Sequence, residues 1–243
     1  MPLRRLALTA LATAALATAV PAARDNGSAP NTLTDAEKKA GWILLFDGHS
    51  LDAWRAYKKS DAAGLRWKID DNSLSLPAQT EPGTRAGDII SKDTFEQFEL
   101  SVDWKVAPGS NSGIKYFVLE DLDSAIGHEY QVIDDERHPD AKVGPHRQTA
   151  AFYDVLPASD RPLKPAGEWN STRIVVRGQT VEHWLNGKKV LQYELNSPAL
   201  NAAIEKSKFK GIQRFGKRQN GHLLLQDHGD QVWFRNIKIR RLS

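Results

Sequence analysis

Apolar and polar residues alternate along most of this chain with the two-residue period of β-strands rather than the 3.6-residue period of helices. From 97 to 106 the alternation is unbroken. Phe98, Leu100, Val102, Trp104 and Val106 share one face, and Glu99, Ser101, Asp103 and Lys105 share the other. Residues 114–119 and 173–177 are β-branched or aromatic runs flanked by glycine. Residues 180–185, then Asn186-Gly187, then 190–195 spell a hairpin, because Asn-Gly accepts the left-handed angles of a type I′ turn. Residues 223–226 and 232–239 supply the last strands. Within the second of these the apolar phase slips from Val232 and Phe234 to Ile237 and Ile239, which predicts a bulge near Arg235-Asn236. Helical signals are few. Thr34-Asp35-Ala36-Glu37 is a capping box with Gly41 as the stop, which predicts a helix over 35–40. It feeds a buried apolar strand over 42–46, ended by Asp47-Gly48, and only 199–208 offers a second helix. Ten or more strands with one or two short helices predict an all-β jelly-roll sandwich of two antiparallel sheets.

The first residues stand outside that pattern. Arg4 and Arg5 precede an apolar run over 6–20, and Val20-Pro21-Ala22-Ala23 offers small residues for cleavage. Residues 1–23 therefore read as a bacterial export signal, 24–33 as a polar linker and 34–243 as one domain, destined for the periplasm or the extracellular space with no membrane attachment after cleavage. Removing Arg4 and Arg5 lowers the formal charge from +3 to +1, and no Lys/Arg run suggests a nucleic-acid footprint. With no cysteine in an exported chain, the core alone must hold the fold. Seven tryptophans can serve that core or sugar-stacking surfaces.

The chemistry concentrates in Gly127-His128-Glu129-Tyr130-Gln131-Val132-Ile133-Asp134. As a strand it points Glu129, Gln131 and Ile133 one way and His128, Tyr130, Val132 and Asp134 the other, so neither face is cleanly apolar. A carboxylate and an amide two residues apart can form a floor that grips a polar ligand; the plain alternative is a solvated edge strand. A conventional retaining glycosidase needs two carboxyl groups about 5–5.5 Å apart. Glu99 and Asp103 have the wrong spacing for that and face away from the apolar side, while Asp121/Asp123 and Asp134/Glu136 lie in loops. The acidic runs Asp134-Asp135 with His138-Pro139-Asp140, and Asp121-Leu122-Asp123, could attract a cation but match no recognised ligand spacing. No Gly-rich phosphate loop, His-Glu-x-x-His or nucleophile elbow is present.

Eight motifs in order resemble one family: Gly41-Trp42 with Leu45-Phe46-Asp47-Gly48, Asn111-Ser112-Gly113-Ile114, Glu129-Tyr130-Gln131 followed by Asp134, Ala151-Phe152-Tyr153-Asp154, Gly167-Glu168-Trp169-Asn170, His183-Trp184-Leu185-Asn186-Gly187, Leu225-Gln226-Asp227-His228-Gly229, and Phe234-Arg235-Asn236-Ile237. They resemble the DUF1080 or 3-keto-disaccharide hydrolase family across nearly all of the chain after the signal. The resemblance implies a concanavalin A-like jelly roll, export, and cleavage of glycosides already oxidised to a ketone at sugar carbon 3. This chain has Ala150-Ala151-Phe152-Tyr153 where the commoner family form is Gly-Ala-Leu-Tyr, so Phe152 is expected to reshape a pocket wall.

A 3-keto sugar needs a base for the hydrogen on carbon 2, a positive group for the enolate oxygen and a donor for the leaving group. Glu129 is the candidate base or metal-binding carboxylate, His228 the candidate acid, base or metal ligand, and Lys115 the candidate group that polarises the ketone. Asn111, Gln131 and Gln226 are candidate hydroxyl-binding amides, Tyr153 a donor or stacking ring, and Trp184 a stacking ring. No cofactor is assigned, although a divalent cation could hold the enolate oxygen. The expected partner is a carbohydrate. His183 and Asn186 read as structural parts of the hairpin, and Trp169-Asn170 as a turn before a strand. The alternative function is a non-catalytic carbohydrate-binding module, with a partner-binding sandwich third. An enzyme calls for a deep cleft where Glu129 and His228 converge with a perturbed carboxylate, a binding module for a shallow groove with exposed, coplanar Trp rings, and a partner-binding protein for a flat apolar patch.

Overall fold

The computed structural model describes residues 29–81 and 87–243; the predicted export signal and the start of the linker lie outside the described residues. In chain order the elements are α1 (Asp35–Lys39), β1 (Ile43–Leu44), β2 (Trp54–Ala56), β3 (Lys68–Asp70), β4 (Ser73–Leu76), β5 (Ile89–Phe95), β6 (Phe98–Val106), β7 (Asn111–Val118), β8 (His128–Ile133), β9 (Asn170–Arg177), β10 (Thr180–Leu185), β11 (Lys188–Glu194), α2 (Pro198–Ile204), β12 (Gly221–Leu225) and β13 (Val232–Arg241). The larger antiparallel sheet runs β11-β10-β9-β6-β13-β4-β3, with β1 also on β13, and the smaller runs β2-β5-β12-β7-β8. The apolar set of β6, headed by Phe98, Leu100 and Trp104, packs in one core with Ile114, Tyr116, Tyr130, Val132, Leu223 and Leu225 of the smaller sheet. This is the two-sheet jelly-roll sandwich that the alternation predicts.

Local signals account for most element ends. Thr34 and Glu37 close both halves of the capping box on α1. Asn186 and Gly187 take φ of 47° and 83°, as a type I′ turn requires. The register of β13 against β6 breaks between Arg235 and Lys238, with Asn236 at φ 51°, which places the bulge where the phase slips. Two expectations shift. The strand over 42–46 shrinks to Ile43–Leu44 with Ile43 exposed, because Asp47 turns the chain by accepting the N–H groups of His49 and Ser50. The helix over 199–208 stops at Ile204, once Leu200 and Ile204 have buried its apolar stripe.

Beyond α2 the chain forms a strap over 205–219 whose anchor is a column of stacked rings. Phe209 lies on Phe215 (4.2 Å), Phe215 on Phe152 (5.5 Å) and Phe152 on Tyr193 (4.9 Å). Phe152 is thus a fully buried core ring, and it bears on the site through the strap that it supports. Beside the column runs a buried polar chain whose proton order is fixed at both ends. The Gly216 N–H donates to His128 Nε2, so His128 Nδ1–H donates to Tyr193, Tyr193 to Tyr116, Tyr116 to His183 Nε2, and His183 Nδ1–H to the Ala150 carbonyl. Every member is satisfied with both imidazoles neutral. Burial holds the imidazole pKa values down, to about 3 for His128 and about 4 for His183.

Candidate active site

The face of the smaller sheet turned away from the core carries Glu129 and Gln131 from β8 and Asn111, Gly113 and Lys115 from β7. Gln226 and His228 continue beyond β12, placed by the Gln226 N–H bond to the Gly113 carbonyl. β8 is the edge strand, but residues 150–153 cover its free side. Ala150 N–H donates to the Gln131 carbonyl, Gln131 N–H to that of Ala151, and Tyr153 N–H to that of Glu129. All six β8 residues are buried, which rules out a solvated edge strand.

Glu129 is 5% exposed. Its cross-strand partner is Lys115, whose Nζ lies 3.8 Å from Glu129 Oε2 and donates to the Ala125 carbonyl at 3.2 Å. The carboxyl group folds over Gly113: a Cβ added there would stand 2.5 Å from Oε1. With its amide turned to satisfy its neighbours, Gln131 donates to Glu129 Oε1 at 3.3 Å and to the Ser112 carbonyl at 2.9 Å. Burial pushes the Glu129 pKa above the ordinary carboxylate value, against the pull of Lys115 and then Lys208. A carboxylate with raised proton affinity beside cations is equipped to take a proton near neutral pH.

Lys208, which the linear sequence did not flag, comes from the strap. Its ammonium sits 4.2 Å from the centre of the Tyr153 ring, and its N–H donates to Asp154 Oδ2 at 2.8 Å. Tyr153 adjoins Glu129 through its backbone, but its hydroxyl donates to Asp140 Oδ2 at 2.8 Å. Burial and that carboxylate push the Tyr153 pKa up, so the expected role as proton donor to a leaving group is not supported by this geometry. Asp140 and Asp154 are themselves clamped by Arg147, each at 2.7 Å. Ala150 and Asp154 hold φ of 67° and 62°, a strain that the surrounding bonds maintain where the loop must pass the site.

Further along the same face lie His228, His138 and Asp230, whose ligand atoms all fall within 4.8 Å of one another; this is the set among the described residues that could hold a divalent cation. Asp230 Oδ2 accepts the Asn111 N–H at 2.9 Å, and the buried Asn111 Oδ1 has no hydrogen-bond partner among the described residues. His138 Nδ1 accepts the Asp140 N–H, which leaves the neutral ring's proton on Nε2, so ligation through Nε2 would exchange that hydrogen bond. Of the acidic runs seen in the sequence, only His138 joins this set, and the neighbouring carboxylates are engaged otherwise. Asp134 pairs with Arg137, Asp135 with Arg161, Asp121 with Arg214 and Asp123 with Lys58.

Trp184 is not brought to this face. It lies on β10 with His183 pointing into the core, so it projects from the far side of the larger sheet. There Arg173 covers its ring at 3.7 Å and its N–H donates to Glu182. Cations similarly cover Trp169 (Arg235) and Trp233 (Lys105), so those rings are not free stacking platforms. Glu99 on that side is held by Arg173 and Arg240, and Asp103 by Asn236. Glu129, Lys115, Asn111, Gln131, Gln226, His228 and Tyr153 share or border one face; Trp184 does not.

The chain is similar to known proteins over most of its length. A 3-keto-disaccharide hydrolase of Bacteroides thetaiotaomicron is 38% identical over 233 residues, covering 84% of this chain and 79% of the relative. A proposed glycosyl hydrolase of Parabacteroides distasonis superposes with a TM-score of 0.78 at 30% identity, covering 88% of this chain and all of that one. A second from the same organism gives 0.60 at 29% identity, over 83% of this chain and 99% of that one. These relatives make the protein an enzyme of the glycoside hydrolase type. The family model of the 3-keto-alpha-glucoside-1,2-lyase-like domain matches residues 41–240, and the chain belongs to that family.

Proposed function

We propose that this enzyme cleaves glycosides carrying a ketone at sugar carbon 3, with Glu129 as the base. One observation carries the reading: Glu129 is a buried carboxyl group of raised proton affinity, and among the described residues the charged groups that act on it most strongly are the cations Lys115 and Lys208. Asp88 also acts on Glu129, but less than either lysine, and its Oδ1 accepts the Asp227 N–H. That suits chemistry needing one base better than the two-carboxylate displacement.

The ketone acidifies the hydrogen on carbon 2. Glu129 takes that proton, the C–H electron pair becomes the C2=C3 bond, and the carbonyl pair moves to oxygen as an enolate. The enolate then collapses, forming the C1=C2 bond and breaking the bond from C1 to the leaving oxygen. The proton Glu129 acquired is the one the departing alkoxide needs, so one carboxyl group closes the balance. Water adding across C1=C2 makes the net reaction a hydrolysis. Lys115 tunes the base as its cross-strand neighbour, and Gln131 and Gln226 offer amides to sugar hydroxyls. The arginine pair and apolar run before residue 24 support action after export.

The test incubates purified protein with 3-keto-trehalose and with trehalose, with and without a chelator, and follows sugar release. The reading expects release from the keto sugar alone and its loss in Glu129→Gln. Binding of both sugars without release would instead favour a carbohydrate-binding module.

A further inference from the structure

We propose that Lys208 is a catalytic residue of this site, its ammonium holding the oxygen on carbon 3 as that oxygen becomes an enolate. The inference rests on the reading of Glu129 as the base. Three observations lead to it. First, the position is built. The Phe209–Phe215–Phe152 stack fixes the strap against the segment that covers β8, so Lys208 and Tyr153, each next in sequence to a stacked ring, meet beside Glu129. The Lys208 N–H bond to Asp154 Oδ2 pins the backbone at the same point.

Second, the cation is unspent. Among the described residues its Nζ makes no hydrogen bond and no ion pair; its neighbours are the faces of Tyr153 at 4.2 Å and Phe209 at 5.2 Å. Lys115, by contrast, already donates to the Ala125 carbonyl. Three N–H donors on a positive charge, drawn down over rings rather than out into water, are available to an oxygen that gains charge. Burial lowers the Lys208 pKa, and Glu129 is the carboxylate that most counters this. Third, the division of labour is complete without any other group. Lys115 is the direct cross-strand neighbour of Glu129 and tunes the base, which leaves Lys208 to face the substrate from the strap. As Glu129 takes the carbon 2 proton and the carbonyl pair moves to oxygen, Lys208 donates one hydrogen bond to that oxygen and keeps its proton.

The experiment compares Lys208→Met, Lys208→Arg and wild type on 3-keto-trehalose across pH, with thermal melts as the check on folding. Lys208→Met should lower kcat by roughly 100-fold or more, the usual loss of one preorganised oxyanion donor. KM should change less than about threefold, as expected for an interaction made mainly in the transition state. Its acid limb should move to higher pH, because Glu129 has lost a stabilising cation, and Lys208→Arg should recover most of the rate. A loss confined to KM, or an unmoved limb, overturns the proposal. A second arm does not depend on turnover: a carbon-13 titration of the Glu129 carboxyl should show a higher pKa in Lys208→Met. An unchanged titration refutes the inference, whereas failure of wild type to act on the keto sugar refutes the proposed substrate instead.

Discussion

Replacing Gly113 with alanine would put a Cβ 2.5 Å from Glu129 Oε1, 2.9 Å from Cδ and 3.0 Å from Cγ. Carbon and oxygen come no closer than about 3.3 Å in ordinary weak contacts, so the carboxyl oxygen must retreat by about 0.8 Å. The backbone gives no reason for the protein to unfold: Gly113 lies inside β7 and is not at positive φ. Alanine there reduces the freedom of the unfolded chain, a gain of about 0.4–1 kcal/mol that offsets part of the steric cost. The carboxyl group can move only by weakening its contact with the Gln131 amide or changing its distance to Lys115. A misplacement near 1 Å can cost about 100-fold in rate, or about 2.7 kcal/mol of transition-state stabilisation. Turnover of 3-keto-trehalose and thermal melting of Gly113→Ala are the paired assays. The expected result is a rate down by about two orders of magnitude with stability within about 1 kcal/mol of wild type. Full activity would refute the seat assigned to Glu129, and a collapse in melting temperature that tracks the lost activity would make Gly113 merely structural.

Further outcomes follow from the same geometry. Glu129→Gln should lower the rate by about 10²–10⁴. Because the folded carboxyl pKa is raised, the native state binds more protons than the unfolded one above the ordinary value of 4.5, and Glu129 costs stability as pH rises through that window. The glutamine variant should therefore melt at or above wild type at pH 8 and show no such gain at pH 4; a lower melting temperature at pH 8 contradicts this. His128 and His183 have folded pKa values near 3 and 4, below the unfolded 6.5, so their contribution is present above about pH 6.5 and lost as pH falls toward 4. Melting across pH 4 to 7 should show that loss, and a flat profile in a variant series that spares both histidines would count against the buried chain. Tyr153→Phe should keep activity within about tenfold, since the hydroxyl is committed to Asp140. A loss of about a thousandfold would restore Tyr153 as a proton donor. Trp184→Ala should leave KM for the keto sugar unchanged, whereas a rise above about tenfold would place a sugar on the larger sheet.

What could be read from the linear chain is what short-range chemistry decides. The β6 alternation, the Asn186-Gly187 turn and the β13 bulge each depend on residues within a few positions of one another, and each appears where the pattern puts it. The strand expected over 42–46 is shorter because, beside the turn at Asp47, its pairing depends on Ile239 and Lys238 at the other end of the chain. Glu129 stood out by being polar in a strand; that the strand is wholly buried depends on residues 150–153 crossing its edge. The alternation phase gives Trp184 an outward side chain but does not say which sheet β10 joins, and sheet membership decides the question. Lys208 carried no local signal at all. Its place comes from ring stacking between segments distant in sequence, as does the meeting of His138 with His228 and Asp230.

The central claim is that Glu129 removes the hydrogen on carbon 2 before the glycosidic bond breaks, and solvent isotope reports on it directly. The enzyme is run on 3-keto-trehalose in deuterium oxide, the products are trapped early by borohydride reduction, and deuterium at carbon 2 of the released sugar is measured. Elimination followed by hydration predicts enzyme-dependent deuterium at carbon 2 in each turnover, absent in Glu129→Gln. Sugar release at the wild-type rate with ordinary hydrogen retained at carbon 2 would mean direct attack by water at carbon 1 and would contradict the account.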